Sequence, residues 1–150
     1  MRKTKGSVLI VDDDVGLGKT MSSILEDEGF ESDLAVNGVE ALEKVRDKSY
    51  DVFLLDINLP DIKGTQLLKE IARLAPSTVK IMITGYPESK TSLEALNFGA
   101  DGYLVKPVDA EKIAETVEAK LQRLNESRKM TEEKLTEFLR ERTRKLLENL

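Results

Sequence analysis

The stretch SVLIVDDDVG, residues 7–16, joins a buried strand to a run of acids. Residues 8–11 are all apolar and three of them are β-branched, as a buried strand favours, and residues 12–14 are consecutive aspartates. Like charges held this close repel one another, most strongly where the end of a sheet excludes water. We therefore expect a positively charged partner beside these aspartates.

The composition limits the chemistry that the chain can perform. Its 150 residues are 40% hydrophobic, enough for one domain with a buried core. The absence of cysteine and histidine excludes disulfides, thiolate chemistry and imidazole as a ligand, base or phosphoryl carrier. No apolar run approaches the roughly 20 residues of a membrane span, and the start MRKTKG lacks the apolar segment of a signal peptide. We expect a cytoplasmic protein that does not bind membranes.

The character of the sequence changes near residue 111. The chain up to that point carries all nine glycines, all four prolines and a net charge of −7. Residues 112–150 carry a net charge of +2 and are dense in the helix formers Glu, Lys, Arg and Leu. We predict one globular domain over residues 1–124 and a helical extension over residues 125–150.

Short apolar runs alternate with amphipathic stretches in the globular part. The predicted strands are residues 8–11, 32–36, 52–55, 79–83 and 102–105. The predicted helices are residues 17–28, 39–48, 65–74 and 89–98, with a last one from near Asp109. Such alternation indicates an α/β fold, a five-stranded parallel sheet that is doubly wound, because parallel neighbours need right-handed crossovers.

Polar or charged side chains end four of these strands. The carboxyl ends of parallel strands share one edge of the sheet, where ligands bind in such folds. The side chains expected to converge there are Asp12, Asp13, Asp56, Thr84 and Lys106. Three carboxylates suit a hard divalent cation, Mg²⁺ in particular. Asp14 is instead predicted to cap a helix that begins near residue 15.

These residues resemble the receiver domain of two-component response regulators, the family to which chemotaxis regulators belong. The stretches LIVDDD, LLDINLPDIKG, MITG and YLVKP follow the family's order and spacing over residues 7–124. The resemblance implies a flavodoxin-like fold in which Asp56 accepts a phosphoryl group in a Mg²⁺-dependent reaction. Asp12 and Asp13 resemble the acids that hold the metal, and Asn58 matches the position that lends its backbone carbonyl. The phosphodonor would be a cognate histidine kinase or a phosphotransfer protein.

The same resemblance implies a conformational switch. Thr84 matches the switch hydroxyl, Lys106 the lysine that contacts the phosphoryl group, and Tyr103 the aromatic residue that turns inward when the hydroxyl moves. Pro107 matches the family's proline, whose bond from Lys106 is expected to be cis. Phosphorylation would then repack the face made by the fourth helix, fifth strand and fifth helix. The protein would be a signalling receiver rather than an enzyme, with only self-phosphorylation and autodephosphorylation as chemistry.

Two other phosphate chemistries fit the spacing poorly. The stretch VGLGKT suggests a nucleotide-binding P-loop, but the first glycine of that pattern would fall on Asp13. A phosphatase of the haloacid dehalogenase type uses the pattern D-x-D-x-[TV], which finds Asp12 and Asp14 but meets Gly16. It also leaves LLDINLPDIKG unexplained, so we keep this phosphatase only as the alternative to a receiver.

The extension allows two interpretations. A seam with heptad spacing is polar in half of its places, namely Leu121, Leu124, Arg128, Thr131, Leu135, Phe138 and Arg142. A second, shorter seam comprises Leu135, Leu139, Leu146 and Leu150. Either the extension pairs as a coiled coil and gives a homodimer, or it is a linker to a further output domain. Its basic residues alternate with acids, so we do not predict direct binding of nucleic acid.

Overall fold

The computed structural model describes residues 4–150 and confirms the predicted α/β architecture. The strands are β1 Ser7–Val11, β2 Glu31–Ala35, β3 Val52–Asp56, β4 Val79–Thr84 and β5 Gly102–Val105. The helices are α1 Val15–Asp27, α2 Gly38–Asp47, α3 Gly64–Leu74, α4 Lys90–Asn97 and α5 Ala110–Glu148. All neighbouring strands pair in parallel, in the order β2-β1-β3-β4-β5.

The alternation of side chains along the strands builds two cores. Val8 and Ile10 point to the face that α1 and α5 cover, and Leu9 and Val11 point to the face that α2, α3 and α4 cover. Because both faces are buried, β3 and β4 show no alternation of polar and apolar residues, as expected for the middle of a parallel sheet.

The carboxyl edge of the sheet differs slightly from the prediction. Asp56 and Thr84 are the last residues of β3 and β4, each of which is one residue longer than predicted. β2 begins and ends one residue earlier than predicted. It ends early because Asn37 turns the chain into α2 by accepting a hydrogen bond from the Glu40 amide. Asp14 caps α1 as predicted, accepting from the Leu17 amide at 3.0 Å.

A tight loop holds the end of β3 in place. The Gly64 amide donates to the Ile57 carbonyl at 3.0 Å, and a Cβ on Gly64 would lie only 2.5 Å from the Ile57 Cα, so only glycine fits. The Asp61 carboxylate accepts from the Gly38 and Val39 amides at 2.9 and 3.0 Å. These contacts join the loop after β3 to the start of α2 and fix the backbone that carries Asp56.

Helix α5 continues far beyond the sheet. Its 39 residues make a helix of about 58 Å. Ile113, Val117 and Leu121 pack on the sheet, but every residue from 125 to 150 is exposed. The helix leaves the domain at the amino edge of the sheet, opposite the aspartates, since Arg128 donates to the Ser77 carbonyl before β4. We call residues 125–150 the tail.

Within residues 4–150, no helix has both the length and the apolar character needed to cross a lipid bilayer.

Candidate functional site

Three carboxylates meet at the carboxyl edge of the sheet. Asp12 and Asp13 follow β1, and Asp56 ends β3, the neighbouring strand. Asp12 and Asp56 are buried, Asp13 is exposed, and one oxygen of each lies within 4.8 Å of the others. The parallel pairing of β1 with β3 produces this cluster because it places both strand ends side by side.

One oxygen of Asp12 lacks a hydrogen bond. Asp12 Oδ1 accepts from the Asp14 amide at 2.9 Å. Asp12 Oδ2 is buried and is the one such side-chain oxygen or nitrogen without a hydrogen-bond partner among residues 4–150. Lys106 Nζ lies 3.4 Å from it, near enough for charge attraction but without hydrogen-bond geometry. A buried oxygen of this kind is costly unless a cation or donor reaches it.

The electrostatics of the cluster favour a bound cation. Burial raises the pKa of Asp12 to about 6, the Asp14 amide opposes that rise, and the charge of Asp56 adds to it. Burial alone would lower the pKa of Lys106, but its hydrogen bond and attraction to Asp56, together with attraction to Asp12, raise that pKa overall. One ammonium beside three carboxylates leaves the ionised cluster negative.

The residues present therefore fit a divalent cation. The donors here are carboxylate oxygens, the type that Mg²⁺ prefers, in agreement with the acidic magnesium pocket that the resemblance to receiver domains implies. The unpartnered oxygen of Asp12 supplies a ligand that no group of residues 4–150 satisfies. Asp12, Asp13 and Asp56 would hold the ion.

We expect Asp12→Asn to stabilise the cation-free protein at neutral pH. The folded pKa of about 6 exceeds the usual 3.8, so the folded state binds the Asp12 proton more tightly and wild type loses stability as pH rises from 4 to 6. The variant has no such loss, so its free energy of unfolding at pH 7 should exceed that of wild type by about 2 kcal/mol. Urea unfolding with chelator at pH 7 and near pH 4 measures this gain, which should nearly vanish at the lower pH.

The matched control for that experiment is Asp13→Asn. Its carboxylate is exposed, so removing the charge should change stability much less than at Asp12. Both variants should weaken Mg²⁺ binding. A gain for Asp12→Asn that is equal at both pH values would show that ionisation of this group does not limit stability.

Asp56 is held by contacts from both sides. The Asn58 amide donates to Asp56 Oδ1 at 2.9 Å, and Lys106 Nζ donates to Asp56 Oδ2 at 3.0 Å. Lys106 follows β5 and is joined to Pro107 by a cis bond, as the resemblance to receiver domains implied. Asn58 itself is exposed beside the cluster.

Thr84 and Tyr103 line the same cavity, and neither makes a hydrogen bond to the three carboxylates among residues 4–150. Thr84 is buried, and its hydroxyl accepts from the Tyr86 amide at 2.9 Å and contacts the Ser92 hydroxyl at 3.0 Å. Tyr103 is 51% exposed. Both line a cavity of about 80 Å³, together with Ile57, Met82, Pro87, Ser92, Leu93 and Leu96.

Sequence reasoning missed Ser92. This residue is buried at the start of α4, and its hydroxyl contacts Thr84, Ser89 and Tyr86. The sequence signal was weak, because a serine eight positions after Thr84 reads as an ordinary residue of the first helical turn. Only the path of the loop between β4 and α4 brings the two hydroxyls together.

The structure gives neither rival phosphate chemistry a suitable site. Residues 16–20 of the P-loop-like stretch lie inside α1, so they form no loop around a phosphate. The Asp14 side chain, the second acid of the phosphatase pattern, is engaged as the cap of α1, and Gly16 stands where that pattern has Thr or Val.

Comparison with known proteins gives one consistent family. A family model described as the response regulator receiver domain matches residues 8–118. The transcriptional regulatory protein ZraR of Klebsiella oxytoca is 40% identical over 122 residues, which cover 80% of this chain and 28% of that protein. The response regulator ArlR of Staphylococcus saprophyticus is 35% identical over 116 residues, 77% of this chain and 52% of that protein. The chain thus spans 28% and 52% of the length of these two relatives.

Solved structures agree with this comparison. A receiver domain protein (CheY-like) from Methanospirillum hungatei is 38% identical, with a TM-score of 0.79 over 83% of this chain and 99% of that chain. The receiver domain of NtrX from Brucella abortus is 32% identical, with a TM-score of 0.73 over 77% of this chain and 98% of that chain.

Proposed function

The chain belongs to the response regulator receiver domain family of two-component systems, and on that premise we propose that it is a switch driven by phosphorylation of Asp56. The observation that carries the proposal is the cluster of Asp12, Asp13 and Asp56, with Lys106 3.4 Å from Asp12 and 3.0 Å from Asp56. Asp56 is the member of the cluster that accepts a hydrogen bond from Lys106 Nζ, and the Asn58 amide orients its other oxygen. Phosphoryl labelling of wild type and Asp56→Asn tests the proposal directly.

The proposed chemistry needs only groups that this edge provides. An Asp56 oxygen attacks the phosphorus of a phosphodonor, a carboxylate–phosphorus bond forms, and the bond from phosphorus to the donor's leaving group breaks. Lys106, which contacts Asp56 at 3.0 Å, would offset the charge on the transferred group. A bound Mg²⁺ would supply further charge neutralisation. The donor would be a histidine kinase or a phosphotransfer protein, and the chain would otherwise perform only its own dephosphorylation.

The phosphoryl group would change the α4–β5–α5 face, meaning the exposed surface of these three elements. We propose that the Thr84 hydroxyl turns toward the phosphoryl oxygens, and that the Tyr103 ring enters the space left in the cavity of about 80 Å³. Tyr103 lies half-exposed at this cavity, so the inward move would bury apolar ring surface. Leu93, Leu96 and Val105 are exposed on the same face and would be rearranged with it.

We propose that the tail transmits the change to a second copy of this chain. Leu124, Leu135 and Leu146 are spaced by eleven residues, as are Leu139 and Leu150. Eleven residues make just over three whole turns of helix, so these leucines form one stripe. The stripe continues the face by which α5 packs on the sheet, where Ile113 and Leu124 lie at the same spacing. A homodimer through this stripe would bury it, and a linker to a further domain is the competing explanation.

We also propose how the chain relates to nucleic acid and where in the cell it acts. ZraR is called a transcriptional regulatory protein, and the part of it that this chain matches is 28% of its length. We propose that the chain itself does not bind nucleic acid, because acids and bases alternate along the tail. The proposed location is the cytoplasm, where a receiver would meet its kinase.

We expect Lys106→Ala to separate labelling from the conformational response. Lys106 Nζ donates to Asp56 Oδ2 at 3.0 Å and would donate to the phosphoryl mimic beryllofluoride when it is bound. Charge-assisted bonds of this kind are worth about 1.5 to 3 kcal/mol, so affinity for the mimic with Mg²⁺ should fall about ten- to a hundredfold. Even at saturation, amide exchange over residues 89–105 should change less than in wild type. Lys63→Ala, an exposed lysine in the loop after β3, is the matched control. Equal responses in Lys106→Ala and wild type would remove Lys106 from the switch.

A further inference from the structure

The Thr84 hydroxyl takes part in a small network of hydroxyl groups at the start of α4. Ser92 Oγ lies 3.0 Å from Thr84 Oγ1, 2.9 Å from Ser89 Oγ and 2.7 Å from the Tyr86 carbonyl oxygen. Thr84 and Ser92 are 2% and 6% exposed, so water has little access to either hydroxyl. Each proton in this network must therefore be assigned to a protein acceptor.

Counting protons fixes the direction of these bonds. A serine hydroxyl has one proton and two acceptor lone pairs. A carbonyl can only accept, so the Ser92 proton goes to the Tyr86 carbonyl. Ser92 then has no proton left for Thr84, and the Thr84 hydroxyl must donate to Ser92. Ser89 donates to the other lone pair of Ser92, which leaves every site of the Ser92 hydroxyl used.

In this assignment, the Thr84 hydroxyl uses its only proton for the hydrogen bond that it donates to Ser92. In the proposed function, the same proton is donated to an oxygen of the phosphoryl group. A hydroxyl with one proton makes one strong donation at a time, so the two acceptors compete.

We propose that Ser92 is a positioning residue that restrains the switch by holding the Thr84 proton in the resting state. The inference rests on the proposed function, because it assumes that Thr84 turns toward the phosphoryl group. Ser92 is itself fixed by the Tyr86 carbonyl and by Ser89, whose side chain caps α4 by accepting from the Ser92 amide at 3.1 Å. The restraint therefore links the resting position of Thr84 to the first turn of α4, an element of the face that changes.

The test is the affinity for beryllofluoride with Mg²⁺, measured by titration of the full chain. Ser92→Ala removes the competing acceptor and leaves the proton of the buried Thr84 hydroxyl without an acceptor in the resting state, so the variant should bind the mimic about three- to tenfold more tightly than wild type. Ser92→Thr keeps the hydroxyl and should restore wild-type affinity. Ser89→Ala, which alters the same helix cap but leaves the Thr84 contact, should stay within about twofold.

The double variant with Thr84→Ala separates a switch effect from a structural one. If Ser92 acts through Thr84, Ser92→Ala should leave the affinity unchanged when Thr84 is already alanine. Tighter binding that persists in that background would overturn the inference, as would wild-type or weaker binding of Ser92→Ala alone. If instead Thr84→Ala by itself leaves the affinity unchanged, the switch role of Thr84 fails, and with it this part of the proposed function.

Discussion

Replacing Asp56 with asparagine is expected to abolish phosphoryl incorporation. Incubated with acetyl phosphate and Mg²⁺, wild type should take up one phosphoryl group per chain, and Asp56→Asn should take up none above background. An amide is a far weaker nucleophile than a carboxylate, so the loss should exceed about a hundredfold even though asparagine has nearly the same shape. Intact mass after a timed incubation measures the labelled fraction.

The contacts of Asp56 indicate that this substitution leaves the fold intact. Its Oδ1 accepts from the Asn58 amide and its Oδ2 from Lys106, and an asparagine oxygen can keep one of these bonds. The fold should therefore survive, which far-ultraviolet circular dichroism can check. Asp14→Asn is the control, because Asp14 caps α1 in the same acidic run and asparagine is an equally good cap. Labelling of Asp56→Asn at the wild-type level would remove Asp56 as the acceptor.

Removal of the tail is the second change with a large expected effect. Truncation after Leu124 should convert a dimer into a folded monomer that still accepts phosphate, because the packing of α5 on the sheet is complete by that residue. Isolated helices are marginal in water, so we expect the exposed tail of 26 residues to gain its order from pairing. Light scattering at high micromolar concentration gives the mass of each form, with and without beryllofluoride.

Point variants locate the dimer contact within the tail. Leu139→Ala with Leu146→Ala removes two members of the leucine stripe and should weaken the dimer by at least about tenfold, since each buried leucine contributes about 1.5 to 3 kcal/mol. Glu133→Ala with Glu137→Ala changes two exposed residues on the opposite face of the helix and should not weaken it. A full chain that stays monomeric with and without the mimic would favour the linker interpretation.

The sequence sufficed for the fold because its signals are local and agree with one another. The apolar strands, the turn residues and the helix caps at Asp14 and Asn37 all favour the same order of strands and helices. Convergence of Asp12, Asp56 and Lys106 followed from topology alone, since parallel strands end at one edge. Roles of these residues in catalysis and switching stay predictions until they are tested by experiment.

Features that depend on exact backbone paths were not predictable. Ser92 meets Thr84 only because the loop after β4 folds back, and no pattern in the sequence encodes that distance. Lys80 is a charged residue that is buried within the otherwise apolar strand β4. Its Nζ donates to the Thr78 carbonyl at 2.7 Å, and burial lowers the pKa of its ammonium group. The unpartnered oxygen of Asp12 likewise appears only when every contact around it is known.

The measurement that tests the central claim most directly is chemical identification of the labelled residue. Reduction of the phosphorylated wild-type chain with borohydride converts an aspartyl phosphate to homoserine, which peptide mapping can place in the sequence. We expect homoserine at position 56 alone, and none when Mg²⁺ is removed by chelator during labelling. Homoserine at position 12 or 13, or a phosphoryl group that borohydride does not release, would contradict the assignment of Asp56 as the acceptor.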